Sequence, residues 1–213
     1  MKHKIIEFYK LVKNLISVIH IRYFCRKDVG WGNIGKNSHI LGPSIISGKG
    51  NIFIGNNVNI DWDNVIYATN AAFTVKDNTG IATGFKAITG NHRSKVGEFF
   101  KTQGNRNLEG KPIMIEEEVW IGANVILLAG TKIGRGAVVS AGTVVGGAKV
   151  PPYAIVAGNP CKIIGYRFTP QEIIEHENAL YRPEERMSLQ KLQKNYDKYF
   201  ENREKIAEFV GLY

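Results

Sequence analysis

His92 stands in the run Gly90-Asn91-His92-Arg93. An imidazole can take up a proton and return it near neutral pH, which is the task of a general base. The chain has no Gly-x-Ser-x-Gly nucleophile elbow, and neither Cys25 nor Cys161 adjoins a histidine. A covalent serine or cysteine nucleophile therefore has no signature here. A second polar cluster is Asp61-Trp62-Asp63-Asn64. Carboxylates and an amide suit sugar hydroxyls, and an indole face suits a sugar ring. Two cysteines make neither a disulfide framework nor a cysteine-rich zinc site.

These groups need a scaffold, and the chain supplies one with a period of six. A frame placed on Ile34, Ile40 and Ile46 restarts at Ile54, Ile60 and Ile66, then at Val75, Ile81 and Ala87. It then runs unbroken through Ile115, Ile121, Leu127, Ile133, Val139 and Val145. Fourteen of the fifteen positions are Ile, Leu or Val, where composition alone would fill about four. Six fits neither a 3.6-residue helix nor a hairpin ladder. It fits a chain that turns a corner every six residues and points one aliphatic side chain inward per side. Three sides close a triangular coil, giving five coils at 34–51, 54–71, 75–92, 115–132 and 133–150. Stacked coils pair their strands in parallel and pile the aliphatic residues into a continuous column. His92 closes the third coil, and the extruded loop 93–114 follows it. Loops anchored on rigid scaffolds are where sites collect.

The flanks read as helices that cap the stack. Ile5, Phe8, Val12, Leu15 and Ile19 recur at helical spacing over 3–26, with Gly30 and Gly32 beyond. After Pro151-Pro152 the sixfold frame fades. Thr169-Pro170-Gln171-Glu172 is a helix start, with an N-cap, a proline and acids in the first turn. That helix is expected to reach about Ala179, with Pro183 as breaker and a second helix over about 184–209. The expected division is an amphipathic segment 1–30, a β-helix domain 31–168 and a helical extension 169–213.

Composition narrows the partners. The 213 residues are 44% hydrophobic and 22% charged, as in a soluble globular chain. No apolar run approaches the 18–20 residues, roughly, of a membrane span. The net charge is +9. Residues 1–30 carry seven Lys/Arg against two acids, while residues 166–213 carry eight against nine. No basic run or nucleic-acid motif accompanies this charge, so no nucleic-acid partner is expected. The start is not expected to act as a signal peptide, because Glu7, Lys10 and Lys13 interrupt the apolar stretch. The expected location is the cytoplasm, with reduced thiols. The basic amphipathic N-terminal helix also suits peripheral membrane proximity.

The hexads, the segment Glu118-Val119-Trp120-Ile121-Gly122-Ala123-Asn124-Val125, and the tail Pro151-Pro152-Tyr153-Ala154-Ile155-Val156-Ala157-Gly158-Asn159-Pro160 together resemble the hexapeptide-repeat acyltransferases. The resemblance covers roughly residues 34–168. It is to the branches of maltose and galactoside O-acetyltransferases, surface-polysaccharide O-acetyltransferases and xenobiotic acetyltransferases. It implies an all-β core, a left-handed parallel β-helix of about five coils, and homotrimers with sites in the clefts between subunits. It implies acetyl-CoA as donor, no metal, and His92 as the base that takes the acceptor's hydroxyl proton and returns it to the leaving thiolate. The oxyanion donor is a backbone N–H or a side chain near Trp120 or Asn124.

The same resemblance assigns Trp120 to the cleft beside the cofactor arm, with Ala123, Ala141, Gly142 and Gly146 forming a low wall along which pantetheine lies. Lys162, directly after Asn159-Pro160-Cys161, matches a position that meets the coenzyme's phosphates. Lys149 is a second candidate. Here the chain departs from the family's Thr-Lys-Asp, since 145–150 is one residue longer and lacks the threonine. Asp61, Trp62 and Asn64 fall in the region that supplies acceptor contacts. Arg93, Lys95, Lys101 and Arg106 make the loop basic, which would favour an acidic glycan, and Phe99 and Phe100 would line the cleft or pin the loop. The implied activity is O-acetylation of a carbohydrate, a polysaccharide or its precursor. Asn91-His92-Arg93 and Arg167-Phe168 also resemble the xenobiotic branch, although its tryptophan-rich C-terminal stretch is missing. A non-catalytic scaffold, or a zinc relative needing about three histidines per site, is the remaining reading.

Overall fold

The computed structural model describes residues 2–24, 34–92, 94–99 and 108–200. Short strands build a three-faced parallel β-solenoid of about five turns. The first face carries β3 (Ile52–Ile54), β6 (Phe73–Val75), β11 (Ile113–Ile115), β14 (Lys132–Ile133) and β17 (Lys149–Val150). The second carries β1 (His39–Ile40), β4 (Asn59–Ile60), β7 (Gly80–Ile81), β12 (Trp120–Ile121), β15 (Val138–Val139) and β18 (Ala154–Ala157). The third carries β2 (Ile45–Ser47), β5 (Val65–Tyr67), β8 (Lys86–Ile88), β13 (Ile126–Leu128) and β16 (Val144–Val145).

The aliphatic columns expected from the sixfold frame are the observed register partners. Ile54 pairs with Val75, Val75 with Ile115 and Ile115 with Ile133 on the first face. Ile60, Ile81, Ile121 and Val139 align on the second. Ile66, Ala87, Leu127 and Val145 align on the third. From Ile54 onward every frame residue is 3% exposed or less. Burying side chains of this size contributes about 1.5–3 kcal/mol each, so the column is the chief source of cohesion. The first coil is looser, with Ile34 40% exposed and Ile40 and Ile46 half-buried.

The corners explain why six residues suffice for a side. Asn37, Asn57, Asn78, Glu118, Gly136 and Tyr153 have φ between 53° and 67° and stack at the edge between the first and second faces. Asn tolerates this left-handed conformation through local hydrogen bonding. Asn57 Nδ2 donates to Asn78 Oδ1 at 3.1 Å, continuing such a ladder from coil to coil. Tyr153 is an unusual occupant of that region, and it is fully buried.

Past Pro151-Pro152 the parallel stacking lasts for one more side only. Val150 continues the first-face column beside Ile133, and Val156 the second beside Val139. The chain then reverses into β19 (Lys162–Tyr166), antiparallel to β18. α2 (Pro170–Leu180) starts as expected, with Thr169 and Glu172 forming a reciprocal capping box. The last helix departs from expectation. Pro183–Glu185 is a single 3-10 turn, and α3 runs Leu189–Phe200 rather than from 184. Two side-chain anchors hold the chain extended between them: Met187 N–H donates to Glu177 Oε2 at 2.6 Å, and Arg186 Nε to the Tyr181 carbonyl at 2.8 Å.

α1 (Lys2–Phe24) is the expected N-terminal helix. Its apolar side chains from Ile5 to Ile16 are exposed apart from half-buried Val12, so those residues do not cap the stack. Gly30, Gly32, Arg93, Phe100, Lys101, Arg106 and the expected helix beyond 200 lie outside the described residues.

Candidate active site

His92 ends β9 (Gly90–His92), which pairs antiparallel with β10 (Leu108–Gly110). This ladder is the base of the extruded loop. It is clamped to the coil beneath by Asn70, which occupies the space beside two facing glycines. A β-carbon on Gly90 would lie 2.6 Å from Asn70 Oδ1, and one on Gly110 would collide with the Asn70 backbone carbonyl. Lys111 N–H then donates to the Thr89 carbonyl at 2.9 Å as the chain rejoins the solenoid. The backbone of His92 is thus set by the scaffold, its N–H donates to Asn91 Oδ1 at 2.8 Å, and its residue is exposed. It emerges where the third face turns into the first. Exposed Gly146 and Lys149 lie on that same edge, with Gly147 N–H held by Thr131 Oγ1 at 3.2 Å. Farther along the loop, Lys95 pairs with Glu98, and Phe99 is 85% exposed.

Trp120 belongs to the second face. It is 56% exposed, and its indole lies over Gly80. It borders an open concavity of about 480 Å³ whose lining includes Asn57, Asn59, Asn78, Glu118 and Arg167.

The edge between the second and third faces gathers a third set. Asp61, Trp62, Ala123, Ala141 and Gly142 stack there, tied by bonds from Gly84 N–H to the Trp62 carbonyl (3.0 Å), Asn124 N–H to Thr83 (2.9 Å) and Gly142 N–H to Ala123 (2.8 Å). Trp62 is 49% exposed. Asn64 departs from the acceptor-contact expectation. It is 1% exposed, its Oδ1 accepts from Phe85 N–H at 3.0 Å, and its Nδ2 donates to the Asp61 carbonyl. Its amide closes a corner, buried and bonded within the chain. Lys162 is exposed at the start of β19, past the last coil.

One chain therefore joins Asp61 and Trp62 to the low wall of Ala123, Ala141 and Gly142. It places His92 with Gly146 and Lys149 on a different edge, and Trp120 on the face between the other two edges. Among the described residues no group of three or more His, Cys, Asp or Glu could hold a metal ion.

The structure also reveals a charged network that sequence reasoning missed. Glu116 bonds Lys76 (2.5 Å) and Lys132 (3.0 Å). Arg135 bridges Glu117 (3.3 Å) and the fully buried Glu177 (3.2 Å). Glu118 accepts from Arg167 Nη1 at 3.0 Å and meets His176 Nε2 at 2.9 Å. Tyr153 donates to Glu177 Oε1 at 2.9 Å. Burial and then the Glu177 bond push the Tyr153 hydroxyl well above its ordinary value, while burial pushes Tyr181 up to about 12. The network docks α2 onto the solenoid and fixes the Arg167 and Glu118 heads beside Trp120. One signal was available: Glu117 and Arg135 are eighteen residues apart, which is one turn of the coil.

Comparison with known proteins agrees with this architecture. Residues 112–147 match the family model described as bacterial transferase hexapeptide (six repeats). A putative lipopolysaccharide biosynthesis O-acetyl transferase, WbbJ, of Escherichia coli (strain K12) is 37% identical over 122 residues, 55% of this chain and 61% of that protein. A chloramphenicol acetyltransferase of Klebsiella aerogenes is 48% identical over 60 residues, 28% of each. The chain thus spans less than two thirds of either relative. The crystal structure of a hexapeptide-repeat acetyltransferase of Vibrio cholerae O1 biovar eltor, complexed with acetyl coenzyme A, superposes with a TM-score of 0.60 at 29% identity. That match covers 66% of this chain and 73% of the other. Residues 112–147 are therefore bacterial transferase hexapeptide repeats, and the solenoid that contains them has the fold of the hexapeptide-repeat acetyltransferases.

Proposed function

We propose that the chain is an acetyl-CoA-dependent O-acetyltransferase that modifies a hydroxyl of a carbohydrate, a polysaccharide or its precursor. It works as a homotrimer in the cytoplasm, close to a membrane surface. The observation that carries this reading is the placement of His92, exposed at the clamped base of a loop on a solenoid whose Vibrio cholerae counterpart binds acetyl-CoA. The glycan preference rests on the similarity to a lipopolysaccharide O-acetyl transferase.

In this mechanism the His92 imidazole removes the acceptor's hydroxyl proton as its oxygen bonds to the thioester carbonyl carbon. The tetrahedral intermediate then expels the coenzyme thiolate, and the imidazolium returns the proton to that sulfur. No covalent enzyme intermediate forms. Pantetheine lies against Ala123, Ala141 and Gly142, where small side chains admit close approach. Lys149 and Lys162 meet the phosphates, and Asp61 and Trp62 hold the acceptor. Because His92 and this wall lie on different edges of one chain, a complete site takes His92 from one copy and the wall from its neighbour.

The 48% identity to a chloramphenicol acetyltransferase over 60 residues favours a second reading, in which the acceptor is an antibiotic hydroxyl. One assay separates the two. Thiol release from acetyl-CoA is followed with oligosaccharide and antibiotic acceptors, for the wild type and His92→Ala. Release with glycans by the wild type alone is expected. Release with antibiotics only establishes the second reading, and equal release by both proteins removes His92 from the mechanism.

A further inference from the structure

α1 presents a face that nothing in the rest of the described chain explains. Ile5, Phe8, Tyr9, Leu15 and Ile16 are between 59% and 67% exposed. At 3.6 residues per turn, these five and Val12 fall within one arc of about 120°, and the similarly exposed Leu11 and Ile6 flank it, roughly 40° beyond one end and 60° beyond the other. Glu7, Lys10 and Asn14 lie across the helix from that arc, and Lys13 flanks it. Helix Lys2–Phe24 carries Lys2, Lys4, Lys10, Lys13 and Arg22 against the single acid Glu7. Contiguous exposed apolar surface of this kind marks an interaction site.

Charge selects the occupant. A second copy of the helix would bring the same cationic side chains against one another. An anionic surface would neutralise them while its interior accepts the apolar arc. The helix does not pass through such a surface, because among the described residues none is long and apolar enough to cross a membrane. A basic helix with one broad apolar face and few acids lies in the interface plane, with lysine stems reaching outward to lipid headgroups.

We propose that α1 docks flat on an anionic phospholipid bilayer, with Phe8, Tyr9, Leu15 and Ile16 in the boundary between headgroups and acyl chains, Lys13 at the level of the lipid phosphates, and Lys10 on the outer side adding to the attraction through the surface potential. This gives a physical agent to the membrane proximity in the functional reading above. It would hold the solenoid where an acceptor carried on a lipid is presented. Its test requires no acetyl transfer, so it stands or falls separately from the assignment of His92.

The test is co-sedimentation of the full chain with vesicles of phosphatidylcholine alone or mixed with phosphatidylglycerol. The wild type is expected to bind the mixed vesicles about tenfold more tightly than the neutral ones, and to release as salt rises. Phe8→Glu combined with Leu15→Glu should abolish binding, and Lys10→Glu combined with Lys13→Glu should weaken it about tenfold. Thermal unfolding of each variant matching the wild type shows that the solenoid is intact. Equal binding to both vesicle types, or no binding by the wild type, overturns the proposal. So does wild-type binding by the Phe8/Leu15 variant, or loss by that variant of a larger assembly in sedimentation equilibrium, which would make the occupant a second copy.

Discussion

Trp120 lies over Gly80 so closely that a β-carbon on the glycine would sit 2.9 Å from both Cε3 and Cζ3 of the indole. The missing side chain on β7 is what lets the ring of β12 lie down on the second face. Gly80→Ala should cost little stability, because a half-exposed indole can swing outward. It should shift tryptophan emission and raise the KM for acetyl-CoA about fivefold. The same alanine placed in a Trp120→Ala background should have no further effect on KM, which a double-mutant cycle reads directly.

His92 and Trp120 occupy an edge and a face that one chain cannot bring together. If each site draws His92 from one copy and Trp120 with the adjoining wall from the next, His92→Ala and Trp120→Ala proteins are complementary. Unfolding them together and refolding at equal ratio should restore activity to about one quarter of the wild type, the share of random pairings with both residues present. A refolded mixture no more active than the two variants apart would place both residues in one chain's site or outside the site altogether.

Glu177 is fully buried and shared by Arg135, the Tyr153 hydroxyl and the Met187 amide. Removing the carboxylate leaves the Tyr153 hydroxyl and the Met187 amide unmatched around a cavity, and leaves Arg135 with Glu117 and the Glu185 carbonyl alone. Glu177→Ala should lower unfolding stability by about 2–4 kcal/mol, and Tyr153→Phe, which leaves Arg135 paired, by about 1 kcal/mol. Urea titration of both variants checks the order. A loss confined to α2, with the solenoid still folded, would appear as a separate early transition.

Glu116 supplies a pH test. Burial works to raise its pKa, but hydrogen bonds from Lys76 and Lys132 outweigh it and hold the carboxyl below its ordinary 4.5. A carboxyl lowered by folding contributes in full above 4.5 and loses that contribution as the pH falls through its folded value. Lys76 is raised above 10.5, first by its bond to Glu116, so its contribution is complete below 10.5 and is lost as the pH rises through its folded value. The melting temperature of Glu116→Gln should therefore fall less steeply than the wild type's between pH 4.5 and lower values, and the two curves should differ by a constant between pH 6 and 9, roughly.

The repeat was legible because its information is local. An aliphatic residue at every sixth position is forced inward whatever the neighbouring coils do, so the alignment of Ile54 to Val145 is written in the sequence itself. The contents of the edges were less accessible. Asn64 and Trp62 are two residues apart in a cluster that reads as uniformly polar and aromatic, yet one amide is buried at a corner and the indole stands in solvent. Side-chain direction at a corner depends on its φ, and Asp63 between them turns at 59°. The start of α3 depends on Glu177 and Tyr181, which hold Met187 and Arg186, so no reading of 183–189 alone would find it. The division of His92 from Trp120 follows from the coil count, since 92 and 120 fall at different phases of an eighteen-residue turn once the loop is removed.

The two ends of the stack are unequal. At one end Ile34, Ile40 and Ile46 are only partly covered, and at the other β18 is covered by β19, against which α3 packs, with α2 packed on α3. In an array where each turn touches only its neighbours, opening propagates from the weaker end. Amide hydrogens of β1 and β2 should exchange first, those of β4 and β5 next, and those around Ile121 and Val139 last. The loop that carries His92 is rooted midway along that gradient, so the first coil can fray and re-form without disturbing the base on which the histidine stands.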